Sequence, residues 1–190
     1  MKTKIIFEIL KDNEVIERIE KDSKDFLDLF TKVGLKYIYG YCLIRSSNVT
    51  LIDEGGSQFN IYVDYDPDRE PYGYPNCKLI DSIAIGSGTT APSFNDYKLE
   101  NKKYEVTATI KNYTEDIQNN QIYFDVEATF NISQQETFYE VGIFGLAVQI
   151  YSGFPWSIRK VLVSRDVIPS GITVPANSTL KVTYRIYFSQ

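Results

Sequence analysis

The sequence predicts an all-β protein with one N-terminal helix, and three observations carry that reading. Apolar and polar residues alternate over many short runs, turn residues separate the runs, and one segment alone changes to a helical period. So many strands divided by turns imply two packed sheets or a barrel, and the pattern reads as a two-sheet β-sandwich. The 190 residues are enough for a single domain with a real core. Hydrophobic content is 43%, and aromatic residues make up 14%, led by 15 Tyr and 11 Phe, a composition suited to strands and contact surfaces.

The elements follow in order. Ile5, Phe7 and Ile9 alternate with polar neighbours, Lys11 to Glu14 supplies turn residues, and Val15 to Ile19 returns, which predicts an opening hairpin. Ser23 is placed to cap a helix over 24–40, with Asp25 in its first turn and Phe26, Leu27, Phe30, Val33, Tyr37 and Ile38 at helical spacing. Gly34 and Gly40 weaken its far end. Tyr41 to Arg45 begins a strand, and Asp53-Glu-Gly-Gly56 turns into Phe59 to Val63. Residues 64–77, rich in Pro, Gly, Asp and Tyr, form a long surface loop. Further strands are predicted near 79–85, 103–111, 120–132, 137–150, 159–165 and 180–188. The domain thus divides into an N-terminal hairpin, helix and strands (1–63), a loop (64–78) and the main sandwich strands (79–190).

Composition excludes several functions. The chain has no histidine, which removes Ser-His-Asp and Cys-His catalysis and the commonest neutral metal ligand. A formal charge of −5 lacks the basic face that phosphate binding demands, so nucleic acid is not an expected partner. No apolar window is long enough to span a bilayer as a helix, and Glu8 and Lys11 interrupt the opening apolar stretch before it reaches a signal-peptide core. Cys42 and Cys77 lack metal-site spacing, and both a single disulfide and two free thiols are compatible with them.

Four chemistries remain to be weighed. A carboxylate-pair glycosidase needs two acids across a cleft, but alternation sends Asp125, Glu127, Glu136 and Glu140 to solvent or to turns. Asp64, Asp66 and Asp68 have the alternate spacing with which a loop can wrap calcium, yet Arg69 and Pro75 stand where an EF-hand needs Gly and Glu. No other cofactor is expected. Gly86-Ser-Gly-Thr-Thr90 lacks the P-loop lysine and reads as a tight turn between sheets. Tyr72, Tyr74, Phe154 and Trp156 are candidates for a subunit interface or for stacking on a glycan. Sequons at Asn48, Asn112, Asn131 and Asn177 are candidate glycosylation sites.

A series of motifs carries a resemblance. Ile85-Gly-Ser-Gly-Thr-Thr-Ala-Pro92, Asn95-Asp-Tyr-Lys-Leu99, Tyr139-Glu-Val-Gly-Ile-Phe144, Val163-Ser-Arg-Asp-Val167 and Thr173-Val-Pro-Ala-Asn-Ser-Thr-Leu180 occur in that order. Over roughly 80–188 the chain resembles structural proteins of bacteriophages and archaeal viruses, in which a Gly-Thr-Gly-Thr-Thr-x-Pro turn, a Glu-x-Gly strand, an Ala-Arg-Asp step and a Val-Pro-Ala-Gly-Ser-x-Leu turn recur. Ser87 replaces Thr, Ser164 replaces Ala, and Asn177 replaces Gly, the last a residue that also visits positive φ. The resemblance implies a sandwich of jelly-roll type and a non-enzymatic virion subunit: capsid, vertex, spike or tail fibre. It implies a homo-oligomer that assembles with other virion proteins after synthesis in the host cytoplasm. A carbohydrate- or receptor-binding module is the alternative.

Overall fold

The structure, a computed structural model, describes residues 2–23, 49–61, 78–118, 121–149 and 157–189. The predicted helix 24–40, the strand from Tyr41, the 64–77 loop and both cysteines lie outside them. Among the described residues all regular structure is β: β1 (Lys2–Lys11), β2 (Glu14–Asp22), β3 (Val49–Ile52), β4 (Gln58–Ile61), β5 (Lys78–Gly86), β6 (Lys102–Thr107), β7 (Thr109–Asp116), β8 (Gln121–Ile132), β9 (Glu136–Gln149), β10 (Ser157–Val174) and β11 (Ser178–Ser189).

The strands form two antiparallel sheets. The first runs β2-β1-β11-β8-β7; the second runs β3-β4-β9-β5-β6, with β10 also paired to β9. The opening hairpin forms as predicted, and its turn residues Asp12 and Asn13 take φ of 53° and 67°, the left-handed pair that matches strand twist. Three short corners carry the chain between sheets: Ala108 between β6 and β7, residues 133–135 between β8 and β9, and residues 175–177 between β10 and β11. Because β8 pairs with β11 in one sheet and β9 with β10 in the other, these four strands are one ribbon folded across both layers. Asn177 sits in the last corner at φ 57°, the conformation for which its Gly-to-Asn departure is tolerable.

Both sheets contribute to one core. Ile5, Phe7 and Ile9 of β1, Val126, Ala128 and Phe130 of β8 and Leu180, Val182 and Tyr184 of β11 meet Ile83, Val141, Ile143, Phe144 and Val161 from the second sheet. From Phe124 to Ile132 in β8 and from Leu180 to Ile186 in β11 the even-numbered residues fill this core, so a slip of one position would turn these side chains to water. Each buried Phe, Ile or Leu contributes about 1.5–3 kcal/mol.

The opposite face of the first sheet instead bears charges that pair across all five strands. Arg18 meets Glu8 at 3.3 Å, Glu8 meets Lys181 at 3.4 Å, Lys181 meets Glu127 at 3.0 Å, and Glu127 meets Lys111 at 3.2 Å. This row of alternating sign runs β2-β1-β11-β8-β7 and penalises any other register. On the second sheet Glu105 accepts hydrogen bonds from Lys102 (2.8 Å), from Lys160 and from Ser82. Burial alone would raise the Glu105 carboxyl, but these two ammonium groups and the hydroxyl outweigh it and hold it at about 2.

Two strands depart from expectation. The predicted strand 103–111 breaks at Ala108 and serves both sheets. The predicted 159–165 strand extends to Val174, because Pro169 and Gly171 fall in an irregular stretch between Val167 and Ile172 that interrupts pairing without ending the strand.

Candidate functional site, a loop clamped onto a buried ion cluster

The Gly-Ser-Gly-Thr-Thr segment is not a turn between sheets. It opens a loop, residues 87–101, that joins the neighbouring strands β5 and β6 of the same sheet and folds over β9 and β10. Beneath it lies Glu140, which is fully buried. This overturns the expectation that alternation turns Glu140 to solvent: Glu140 does leave the core side, but the loop covers the face it enters. Asp125, expected in solvent, is also buried, under the Arg185 side chain that binds both its oxygens at 2.7 and 2.8 Å.

The Glu140 carboxylate is saturated. Its Oε1 accepts the backbone N–H of Gly88 (3.0 Å) and Asn101 (2.7 Å), and its Oε2 accepts the N–H of Glu100 (2.9 Å) and the Nε–H of Arg165 (2.9 Å). Arg165, 3% exposed, sends Nη1 to Asp96 Oδ2 at 2.8 Å, and its Nη2 lies 3.6 Å from Glu100 Oε2 without a hydrogen bond. Desolvation would lower the guanidinium, but hydrogen bonds to Asp96 and Glu140 overcome it and hold Arg165 above its ordinary value. Glu100 closes the loop's near end by accepting the N–H groups of Thr89 (2.8 Å) and Thr90 (2.9 Å) and the Thr90 hydroxyl (2.8 Å). The Thr90 backbone N–H, ahead of the Thr90 hydroxyl and Arg165, holds its carboxyl below the usual range. Asp96 shapes the loop tip by accepting the N–H of Ser93 at 3.1 Å.

The two glycines are explained by this packing. A Cβ on Gly88 would lie 2.6 Å from Glu140 Oε1 and 2.5 Å from Glu100 Cβ, and one on Gly86 would lie 2.6 Å from the same Oε1. Only a backbone without side chains can approach the carboxylate this closely.

Asp166, next in the chain, works on the other side. Its Oδ1 accepts the Ser23 hydroxyl, and its Oδ2 accepts Ser164 Oγ and Tyr184 Oη, each at 3.3 Å. Tyr184 is fully buried, and burial, followed by the Asp166 charge, pushes its phenol well above the ordinary value. The Ser-Arg-Asp step therefore ties the outer loop with one residue and the interior with the next.

This arrangement holds structure in place. Every oxygen of Glu140 and Glu100 accepts a hydrogen bond from the loop or from Arg165. Glu127 is likewise held by Lys111 and Lys181, and Glu136 by the Tyr104 hydroxyl at 3.1 Å. Among the described residues no group of three or more His, Cys, Asp or Glu is arranged to hold a metal.

The interface or glycan candidates Tyr72, Tyr74, Phe154 and Trp156, the calcium candidates Asp64, Asp66 and Asp68, and the sequon Asn48 lie outside the described residues. Of the other sequons, Asn112 sits in an irregular part of β7 at φ 55° with its Nδ2 donating to Asp125 at 3.0 Å, Asn131 lies near the end of β8, and Asn177 is exposed in a corner. Sequence reasoning did not single out Arg165, Glu140, Asp96 and Glu100 as one site. Their signal was the motif series: the Gly-Ser-Gly turn, Asn95 to Leu99, the Glu-x-Gly strand and the Ser-Arg-Asp step each contribute a part of this one cluster.

The fold and cluster define an antiparallel β protein of two sheets with a surface loop clamped from below. No protein-family model, curated protein or solved structure matches the chain.

Proposed function

We propose that the protein is a non-enzymatic structural subunit of a virion, of capsid, vertex, spike or tail-fibre type, that acts through self-assembly with its own copies and other virion proteins. The observation that carries this reading is the convergence of four of the five resembling motifs on one structural cluster. Residues from the 87–101 loop, β9 and β10 are bound to each other, with the carboxylates of Glu140 and Glu100 both engaged in holding the loop. That is the economy of a part that presents a rigid surface.

Two further features support it. The ribbon β8 to β11, folded across both sheets, suits a sandwich of jelly-roll type. Ile110, Tyr113 and Ile117 along and beyond β7, with Ile122 on β8, leave apolar surface open for a neighbouring subunit. Light scattering of the purified chain across a concentration series, followed by electron microscopy of any assembly, tests the proposal. A stable closed oligomer is expected; a monomer at every concentration, alone and with the partner virion proteins, overturns it.

A further inference from the structure

The charge row of the first sheet stops at Arg18, on an edge. Among the described residues no strand pairs with the far side of β2, so its outward backbone N–H and C=O groups stand open. The strand also leaves two charges over. Glu17, exposed, makes no ion pair or hydrogen bond among the described residues, and Lys21 donates only to the Ser170 hydroxyl at 2.8 Å. Burial lowers the Lys21 ammonium below its ordinary value, and no carboxylate raises it again. Glu17, Ile19 and Lys21 lie opposite Ile9, Phe7 and Ile5 of β1 and therefore share one face, while Arg18 and Glu20 share the other.

We propose that the β2 edge is a two-fold interface with a second copy of this chain, paired antiparallel about Ile19. The two-fold keeps a given residue on the same face in both copies, and directly opposed residues must also share a face. Opposed positions therefore sum to an even number, and one residue meets its own copy at the axis. An axis at Glu17, Arg18, Glu20 or Lys21 sets that charge against itself. An axis at Ile19 sets apolar against apolar, Arg18 against the partner's Glu20, and Glu17 against the partner's Lys21, each twice by symmetry. The two leftover charges thereby gain partners. Arg18 already reaches Glu20 of its own chain at 2.9 Å, so on the outer face the two pairs close into a four-charge cluster of alternating sign. Regular pairing ends near Glu17, where the register of β2 shifts, and Val15 and Ile16, 52% and 53% exposed, flank it with apolar surface. Charges on an edge strand ordinarily keep other strands away. Here their order is self-complementary about Ile19 and repulsive about each neighbouring charge. The proposal rests on the self-assembly reading and names the surface through which two copies meet.

The test is zero-length carbodiimide cross-linking of an equal mixture of ¹⁴N- and ¹⁵N-labelled full-length chains, read by mass spectrometry and accompanied by light scattering. A Glu17–Lys21 cross-link joining a light to a heavy peptide is expected. Glu17→Lys should weaken self-association about tenfold, because two like-charge contacts replace two opposite ones. The double variant Glu17→Lys with Lys21→Glu should restore it, which a merely structural role for either residue would not. Both positions lie on an edge strand; if a variant fails to fold, the cross-link map of the unaltered chain decides. Copies joined only through other residues, or an unchanged association in Glu17→Lys, overturn the proposal and leave the assembly reading standing. A chain that is monomeric alone but assembles with other virion proteins does the same. A dimer carrying the Glu17–Lys21 cross-link supports the proposal even if no larger particle forms, the result that would count against the virion reading alone.

Discussion

Arg165 donates its Nε–H to Glu140 Oε2 at 2.9 Å with both side chains removed from solvent. A pair of this kind is costly to form, because both ions leave water, and far more costly to break. Replacing Arg165 with Met leaves Glu140 buried with its countercharge gone. The expected loss is about 3–5 kcal/mol, and the melting temperature should fall by about 10 °C. The 87–101 loop, held at its tip through Arg165 and Asp96, should become the first site of limited proteolysis. A variant that melts normally and resists protease would show that the cluster does not hold the loop.

Gly88→Ala should be damaging at a site where a methyl group is ordinarily harmless. The added Cβ meets the Glu140 carboxylate and the Glu100 stem at once, and neither can retreat without giving up backbone hydrogen bonds. A loss of about 1–3 kcal/mol is expected by denaturant titration. Gly55→Ala is the control, since its Cβ would come no nearer than 3.2 Å to Asp53.

Glu105 sets an acid limit. Its carboxyl sits at about 2 in the folded chain against an ordinary 4.5, so the unfolded state takes up the proton first as pH falls. Its contribution, up to ~3 kcal/mol, is fully present above the unfolded value and is lost as pH drops through 4.5 toward about 2. Asp125 and Glu127, also lowered, act with the same sign. Denaturation midpoints measured from neutral to acidic pH should fall through this window, and Glu105→Gln should flatten part of the slope. An unchanged slope in the variant refutes the assignment.

Tyr184→Phe removes only a buried hydroxyl, yet it takes one hydrogen bond from Asp166 in the interior. A cost of about 1–2 kcal/mol is expected from the melting curve, with the fold retained because the ring still fills the core. Ser164→Ala, acting on the same Asp166 oxygen, should be less than additive with it.

What the sequence made legible depended on whether one face of each strand met water. β8 and β11 alternate cleanly because their odd positions carry the charge row, and their limits were predicted within two residues. β10 was not legible beyond Arg165: residues 161–166 are buried on both faces, so period-two contrast disappears, and Pro169 with Gly171 imitates a strand end. The break at Ala108 carries no Gly or Pro to announce it. Glu140 was misplaced for a related reason. Alternation identifies the face a residue enters, but the cover over that face comes from a loop some forty residues earlier, and local pattern contains no record of it.

The pairing of β1 with β11 also has a mechanical side. Lys2 lies opposite Tyr187 and Leu10 opposite Thr179, so the two strands reach the same edge of the sheet from the same end. Tension applied between residues 2 and 189 would peel their hydrogen bonds apart one after another, like a zipper, instead of loading them together in shear. Single-molecule pulling from those two positions should therefore open the chain at low force.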